Sequence, residues 1–311
     1  MTKAKAIAFA EFGPADVLRP VEIDVPEPGP GQVRIAVRAA GVNPLDTKIR
    51  SGAMGAAFPV DLPHVPGVEA SGVVEAVGPG VTGLSAGDEV FGPTASGAYA
   101  GLALLAADRA ARKPGTLGFP EAAALPVAAE TSYRVLDLLA PGAGEMLLVH
   151  GAAGGVGSLA VQFAVGRGVR VIGTASEGNH DHLRALGAIP VTYGEGLVDR
   201  VRALAPDGVD AVFDTTGFPE SLAASVELAG GTDRVATIGS PVAAGQYGVT
   251  FSSGAGAEAY RGKPAFEEAL ALHAAGRLTV AVHRVYPLDE AADAHRASEA
   301  GHLTGKLLLA P

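Results

Sequence analysis

The chain has 311 residues, 48% of them hydrophobic and 18% charged, with no cysteine and a formal net charge of -10. This is the composition of a folded globular chain long enough for two domains rather than of a disordered one. The acidic balance argues against a nucleic-acid partner. The lack of cysteine excludes disulfides, thiolate catalysis, iron–sulfur clusters and any zinc site built on cysteine. No apolar stretch is long enough to span a bilayer, and Met1–Ala10 lacks the apolar core of a signal peptide, so a cytoplasmic location is expected.

Taken in chain order, Met1–Ala10 fits a first strand, and short strands bounded by glycine and proline continue to about residue 110. Val33–Arg38 alternates cleanly, while Ala70–Val77 and Asp88–Phe91 follow turns at Pro66-Gly67 and Ala86-Gly87. From Phe119 the texture becomes α/β. Helices are expected at Glu121–Pro126 and Thr131–Leu139, stopped by Pro141-Gly142. Strands at Met146–Val149, Arg170–Thr174 and Asp210–Asp214 each lead to a helix, the later two around His182–Leu186 and Glu220–Leu228. Arg234–Ile238 reads as a fourth strand. Such alternation predicts a doubly wound parallel sheet with ligands at the strand carboxyl ends. Ser240–Gly262 is rich in Gly, Ser and Ala and reads as loop. A helix at Pro264–Ala275, a strand at Val280–Val285, a helix from Leu288 to about Ala300 and a strand at Lys306–Leu309 complete the chain. The last strand fits either domain.

The most informative string is Gly151-Ala-Ala-Gly154-Gly155-Val156-Gly157, which follows a buried-strand pattern and precedes Ser158–Ala164, a helix start. A strand, a glycine turn and a helix form a cradle for pyrophosphate, because glycine lets the backbone approach and the helix N–H groups face the negative charge. The spacing is G-x-x-G-x-x-G rather than the commoner G-x-G-x-x-G.

Together with Ala40–Asp46 (AGVNPLD), Pro66–Gly72 (PGVEASG), Gly87–Val90 (GDEV) and Gly305-Lys306, this turn resembles the medium-chain dehydrogenase/reductase superfamily, and within it the zinc-independent, zeta-crystallin-like quinone oxidoreductases. The resemblance implies an α/β chain with a doubly wound (Rossmann) nucleotide domain at 121–277. A β-rich, GroES-like catalytic domain would then comprise 1–120 and 278–311. Zinc-dependent relatives carry a ligand cysteine where this chain has Asn43 and a ligand histidine where it has Val68, so no metal is expected and alcohol oxidation loses its Lewis acid.

The second strand runs out through Thr174-Ala175-Ser176 instead of reaching the Asp or Glu that would accept bonds from the ribose hydroxyls of NAD. A serine donates to a 2′-phosphate that a carboxylate would repel, so NADPH is the expected cofactor, with Glu177 as the residue opposing it. Asn179, His180 and Tyr193 are further cofactor candidates; the alternatives are a helix cap for Ser176 and a solvated loop for Asn179 and His180. The resemblance also places Asn43 towards nicotinamide and substrate and Thr131 under the ring. Asp46 is either catalytic or part of a helix cap. Thr215, Gly217 and Gly239 would let the dinucleotide pass, and Phe251 either packs on nicotinamide or sits in the core. Lys306 either reaches the ribose or flanks a strand, and Tyr99 lines the substrate mouth or an interface. Glu69, between apolar strands, is expected to pair with a buried cation.

These readings converge on zinc-independent hydride transfer from NADPH to a quinone or similar electron-poor carbonyl. The alternatives are an enoyl reductase and a non-catalytic NADPH-binding protein. A small-molecule acceptor and a homodimer are expected; nucleic-acid and membrane partners are not.

Overall fold

Glycine and proline cut the first third of the chain into segments too short for long helices. In the computed structural model, which describes residues 1–254 and 260–311, β1 (Thr2–Ala8) and β2 (Arg19–Val25) pair as an antiparallel ribbon. They are followed by β3 (Gln32–Val42), α1 (Pro44–Arg50), β4 (Glu69–Val77), β5 (Glu89–Pro93), β6 (Leu102–Ala106), β7 (Ala111–Arg112) and α2 (Phe119–Ala123). Helix α1 begins at Pro44 because proline presets a helical φ at its first position, and Asn43 and Asp46 close a capping box.

The chain then alternates through α3 (Pro126–Leu139), β8 (Met146–His150), α4 (Gly155–Gly166), β9 (Arg170–Ala175), α5 (His180–Ala185), β10 (Ile189–Thr192) and α6 (Leu197–Leu204). The series continues through β11 (Ala211–Asp214), α7 (Pro219–Ala229), β12 (Val235–Thr237), α8 (Pro241–Tyr247), β13 (Thr250–Phe251) and α9 (Gly262–Ala274). The tail adds β14 (Val282–Pro287), α10 (Ala291–Ala300) and β15 (Lys306–Ala310).

Two compact units result: Met1–Val127 with Ala281–Pro311, and Ala128–Val280. Sequence reading puts the junctions after residues 120 and 277, whereas the structure keeps α2 with the first unit. That unit holds a seven-stranded sheet in the order β14-β15-β3-β4-β5-β7, with β6 also pairing β3. The last strand therefore completes the first unit, lying parallel to β14 and antiparallel to β3. Its core gathers Ile7, Phe9, Val33, Ile35, Leu105, Leu307 and Leu309.

In the second unit all six strands are parallel, in the order β10-β9-β8-β11-β12-β13, so the winding direction reverses at β8. That arrangement is the doubly wound α/β fold, and it leaves a crevice beyond the carboxyl ends of β8 and its neighbours. Leu148, Ile172, Val212 and Val235 fill the core beneath it.

The structure corrects several sequence expectations. Ser240–Gly262 is not simply loop: it contains α8, whose N-cap Ser240 accepts from the Ala243 N–H at 3.2 Å, and the short strand β13. The Ser-Pro start signal was present but submerged in glycine and alanine. The strand expected at Val280–Val285 runs two residues later, and β10 with α6 forms a further unit that the pattern hid. Proline at position 190 weakens the strand signal, and β10 is an edge strand, where proline is tolerated. No helix among the described residues is long and apolar enough to cross a membrane.

Close backbone packing in the first sheet yields a test. A Cβ at Gly72 would lie 2.2 Å from the Ala36 carbonyl oxygen, whereas one at Gly115 meets nothing within 4 Å. Gly72→Ala should therefore cost about 1–3 kcal/mol and lower Tm by several degrees, while Gly115→Ala stays within about 0.5 kcal/mol. Thermal melts of the two variants compare them directly.

Candidate functional site

The glycine turn is shaped by hydrogen bonds that close it on the neighbouring strand. Gly151 has φ 67°, a left-handed conformation that glycine adopts without strain. Its N–H donates to Thr174 Oγ1 at 3.2 Å, Ala152 N–H donates to the Thr174 carbonyl at 3.0 Å, and Gly154 N–H donates to the Gly151 carbonyl at 3.0 Å. A Cβ on Gly157 would fall 2.3 Å from the Gly151 oxygen, so only glycine lets α4 start this close to the turn. The first bond inside α4 runs from Ser158 N–H to the Gly154 carbonyl at 2.9 Å. The N–H groups of Gly155, Val156 and Gly157 thus precede the helical ladder and carry the positive end of its dipole. This cradle fits a dinucleotide pyrophosphate. Buried Thr174 supports the turn from below, and the Val156 carbonyl accepts from Ser132 Oγ at 2.9 Å, next to buried Thr131.

At the end of β9, the Ser176 oxygen accepts from Asn179 Nδ2 at 3.1 Å, which leaves the serine O–H as a donor. His180 Nε2 lies 3.5 Å from Thr192 Oγ1, Tyr193 is 48% exposed just beyond, and Glu177 is exposed. Sequence reading missed Arg200. Its guanidinium donates to the carbonyls of Thr192 at 2.8 Å and Glu195 at 2.7 Å, shaping the loop that carries Tyr193. An arginine inside a helix pattern offers no signal for such a role.

Beyond β11, Thr215 Oγ1 donates to the His150 carbonyl at 2.7 Å and would lie 2.4 Å from any Cβ on Gly151. Gly217 and Gly239 meet backbone to backbone: a Cβ on Gly239 would lie 2.4 Å from Gly217 N. The second unit thus brings Gly151, Thr215, Gly217 and Gly239 together at the strand ends. Phe251, on β13, is partly buried against the core. His150 is pushed down to about 4 by burial and is neutral at pH 7.

In the first unit, Asn43, Asp46 and Lys306 join a buried polar cluster. Lys306 Nζ pairs with Glu69 Oε1 at 2.6 Å and also donates to Asn43 Oδ1. Asn43 Nδ2 donates to Glu69 Oε1 at 2.8 Å, and Val127 N–H donates to Glu69 Oε2 at 2.7 Å. Glu69 therefore has the buried cation expected of it, and Lys306 is that cation. The Asn43 oxygen is taken by Lys306 and the capping box, and the second N–H of its amide is left to meet a ligand.

Asp46 occupies the capping box: its Oδ2 accepts from Asn43 N–H at 2.8 Å and from the Tyr99 hydroxyl at 3.3 Å. Tyr99, expected at a substrate mouth or an interface, is instead fully buried, 3.0 Å from His295 Nε2. Burial pushes Asp46 up to about 7, against the pull of the Asn43 N–H and the Lys306 charge. His295 is pushed down to about 3 by burial and by Arg50.

Comparison with known proteins gives two family matches. Residues 29–129 match the alcohol dehydrogenase GroES-like domain, and residues 186–309 match the zinc-binding dehydrogenase domain. The chain is 34% identical to the quinone oxidoreductase of Lama guanicoe over 98% of its own length and 97% of the relative's. It belongs to the zinc-independent quinone oxidoreductase branch of the medium-chain dehydrogenase/reductase superfamily, a family of oxidoreductases.

Other relatives overlap only in part. The chain is 37% identical to the 2-methylene-furan-3-one reductase of Solanum lycopersicum over 76% of its length, spanning 63% of that protein. It is 51% identical to the pikromycin polyketide synthase component PikAII of Streptomyces venezuelae over 52% of its length, but only 4% of that protein. Among solved structures, the mycobacterial Rv1454c complexed with NADPH superposes with a TM-score of 0.84 and 33% identity, covering 99% of this chain and 100% of that one. Although one matching domain is described as zinc-binding, no group of three or more His, Asp or Glu among the described residues could hold a metal.

Two outcomes follow from the buried cluster. Lys306→Met leaves the Glu69 charge buried without its cation and should cost about 3–5 kcal/mol in a denaturation midpoint. Asp46 binds a proton in the native state between its ordinary value of 3.8 and about 7, where the unfolded chain has released it. Its contribution is therefore complete at low pH and is lost as pH rises through that window, at up to about 1.4 kcal/mol per unit. The stability of Asp46→Asn minus that of the wild type should climb from pH 4 to pH 7 and then level off, read by thermal melts across pH.

Proposed function

We propose that this protein is an NADPH-dependent, zinc-independent reductase that transfers hydride to a quinone or similar electron-poor carbonyl compound. The observation that carries the cofactor reading is the Ser176–Asn179 corner. Asn179 occupies the serine oxygen as acceptor and leaves its O–H to donate, where an NAD site would place a carboxylate. A 2′-phosphate accepts that bond, and a ribose hydroxyl has less need of it.

Bound in this site, the nicotinamide would supply the hydride. The chain's own groups bind and orient. The first-turn N–H groups of α4 hold pyrophosphate, Ser176 with Asn179 and His180 holds the 2′-phosphate, and the 215–217 and 238–240 turns pass the remaining half. Asn43 offers its spare N–H to a developing oxyanion, held in place by Glu69 and Lys306. The acids around it are committed elsewhere: Glu69 is paired with Lys306, and Asp46 and Tyr99 are bonded to each other, with Asp46 held in the capping box. That favours an acceptor whose reduced anion takes its proton from water, as a quinone does. The similarity to the tomato furanone reductase supports a second reading, reduction of α,β-unsaturated carbonyls. A homodimer and a cytoplasmic location complete the proposal.

Oxidation of NADPH measured against a panel of quinones and enones separates these readings. Tight NADPH binding without turnover of any quinone would remove the quinone assignment. Ser176→Asp should lower the NADPH-over-NADH preference by about tenfold or more, and Glu177→Gln should raise it by a few fold, as one charge beside a phosphate is removed. Steady-state KM values for both cofactors read this out.

A further inference from the structure

The second unit buries a carboxylate that no step above uses. Asp214 ends β11 and has no exposed surface. Its Oδ1 accepts from Thr216 Oγ1 at 2.7 Å, Ser221 Oγ at 3.0 Å and Thr216 N–H at 3.2 Å. Its Oδ2 accepts from Thr237 Oγ1 at 2.6 Å and Gly217 N–H at 2.7 Å. All five donors are uncharged. Thr237 Oγ1 in turn accepts from Gly239 N–H at 3.1 Å, and the Asp214 carbonyl accepts from Ile238 N–H at 3.1 Å. One side chain thus sets the turns after both β11 and β12, at the point where Gly217 and Gly239 touch.

The order of the sheet says what those turns serve. The pyrophosphate cradle follows β8, and the adenosine corner follows β9 on one side of it. A dinucleotide lying along the strand ends must place its other half over β11 and β12, on the opposite side of the switch point.

We propose that Asp214 is a positioning residue for the nicotinamide half of the cofactor, acting through the 215–217 and 238–240 turns. The inference rests on the dinucleotide reading above. Replacing Asp214 by Asn keeps the shape but turns one oxygen into an NH₂ group. That group cannot accept the bonds made to the oxygen it replaces, so at least two donors lose their partner. The turns shift while the cradle and the adenosine corner stay in place.

Calorimetric titration with NADPH and with 2′,5′-ADP, which carries only the adenosine half, tests this on the full-length protein. For Asp214→Asn, NADPH affinity should fall by about tenfold or more while 2′,5′-ADP affinity changes by less than about twofold. Equal loss for both ligands, the mark of a merely structural residue, overturns the proposal, as does no loss for either. Thr237→Val removes one of the five bonds and the acceptor of Gly239. If the Asn variant does not fold, it should show the same asymmetry at about threefold, and equal effects on the two ligands would again overturn the proposal. A wild type that binds NADH in preference to NADPH would refute the NADPH reading separately. The Asp214 comparison is then made with NADH against 5′-AMP, with the same expectation and the same overturning result.

Discussion

A charge buried away from water must be met by a partner, and in each unit one carboxylate decides how several elements come together. In the first unit it is Glu69. Its two oxygens receive the Lys306 ammonium from β15, the Asn43 amide from the cap of α1 and the Val127 N–H from α3. The close approach of strand β3 depends on this too, since a Cβ at Gly41 would lie 2.1 Å from Glu69 Oε1. Losing the cation would leave a desolvated charge among these elements, which is why the group acts as a junction and not merely as one contact among many.

The second unit solves the same problem with dipoles. Asp214 is satisfied by hydroxyls and backbone N–H groups. An added lysine or arginine would satisfy the charge but bring its own field and bulk to the strand ends. Hydroxyl and amide donors on short side chains let the glycine turns of β8, β11 and β12 stay close to one another. The cradle, the Ser176 corner and the two turns are therefore separate local structures held in register by one parallel sheet.

Much of this was legible because it is local. Alternating apolar runs and glycine turns are periodic, so the strands and helices from Met146 to Leu228 follow from pattern, β10 and α6 excepted, as does the cradle at Gly151–Gly157. Asp46 read equally well as catalytic or as a cap. The choice depended on whether Tyr99 and the Asn43 N–H lay within reach, which spacing alone does not reveal. Tyr99 looked like a surface aromatic because the turn around it is rich in glycine and serine; burial came from elements elsewhere in the chain. Helix α8 was missed because its Ser-Pro start lies within a composition typical of loops.

By itself, the sequence determined the doubly wound nucleotide fold, the phosphate cradle and the absence of thiolate chemistry, all of which rest on residue type and short-range spacing. Only the tertiary structure decided that Lys306 answers Glu69, 237 residues away, and that Asp214 governs two turns at once. Such pairings depend on strand order and on how far each side chain is removed from water. Those are properties of the assembled sheets, and no window of the chain contains them.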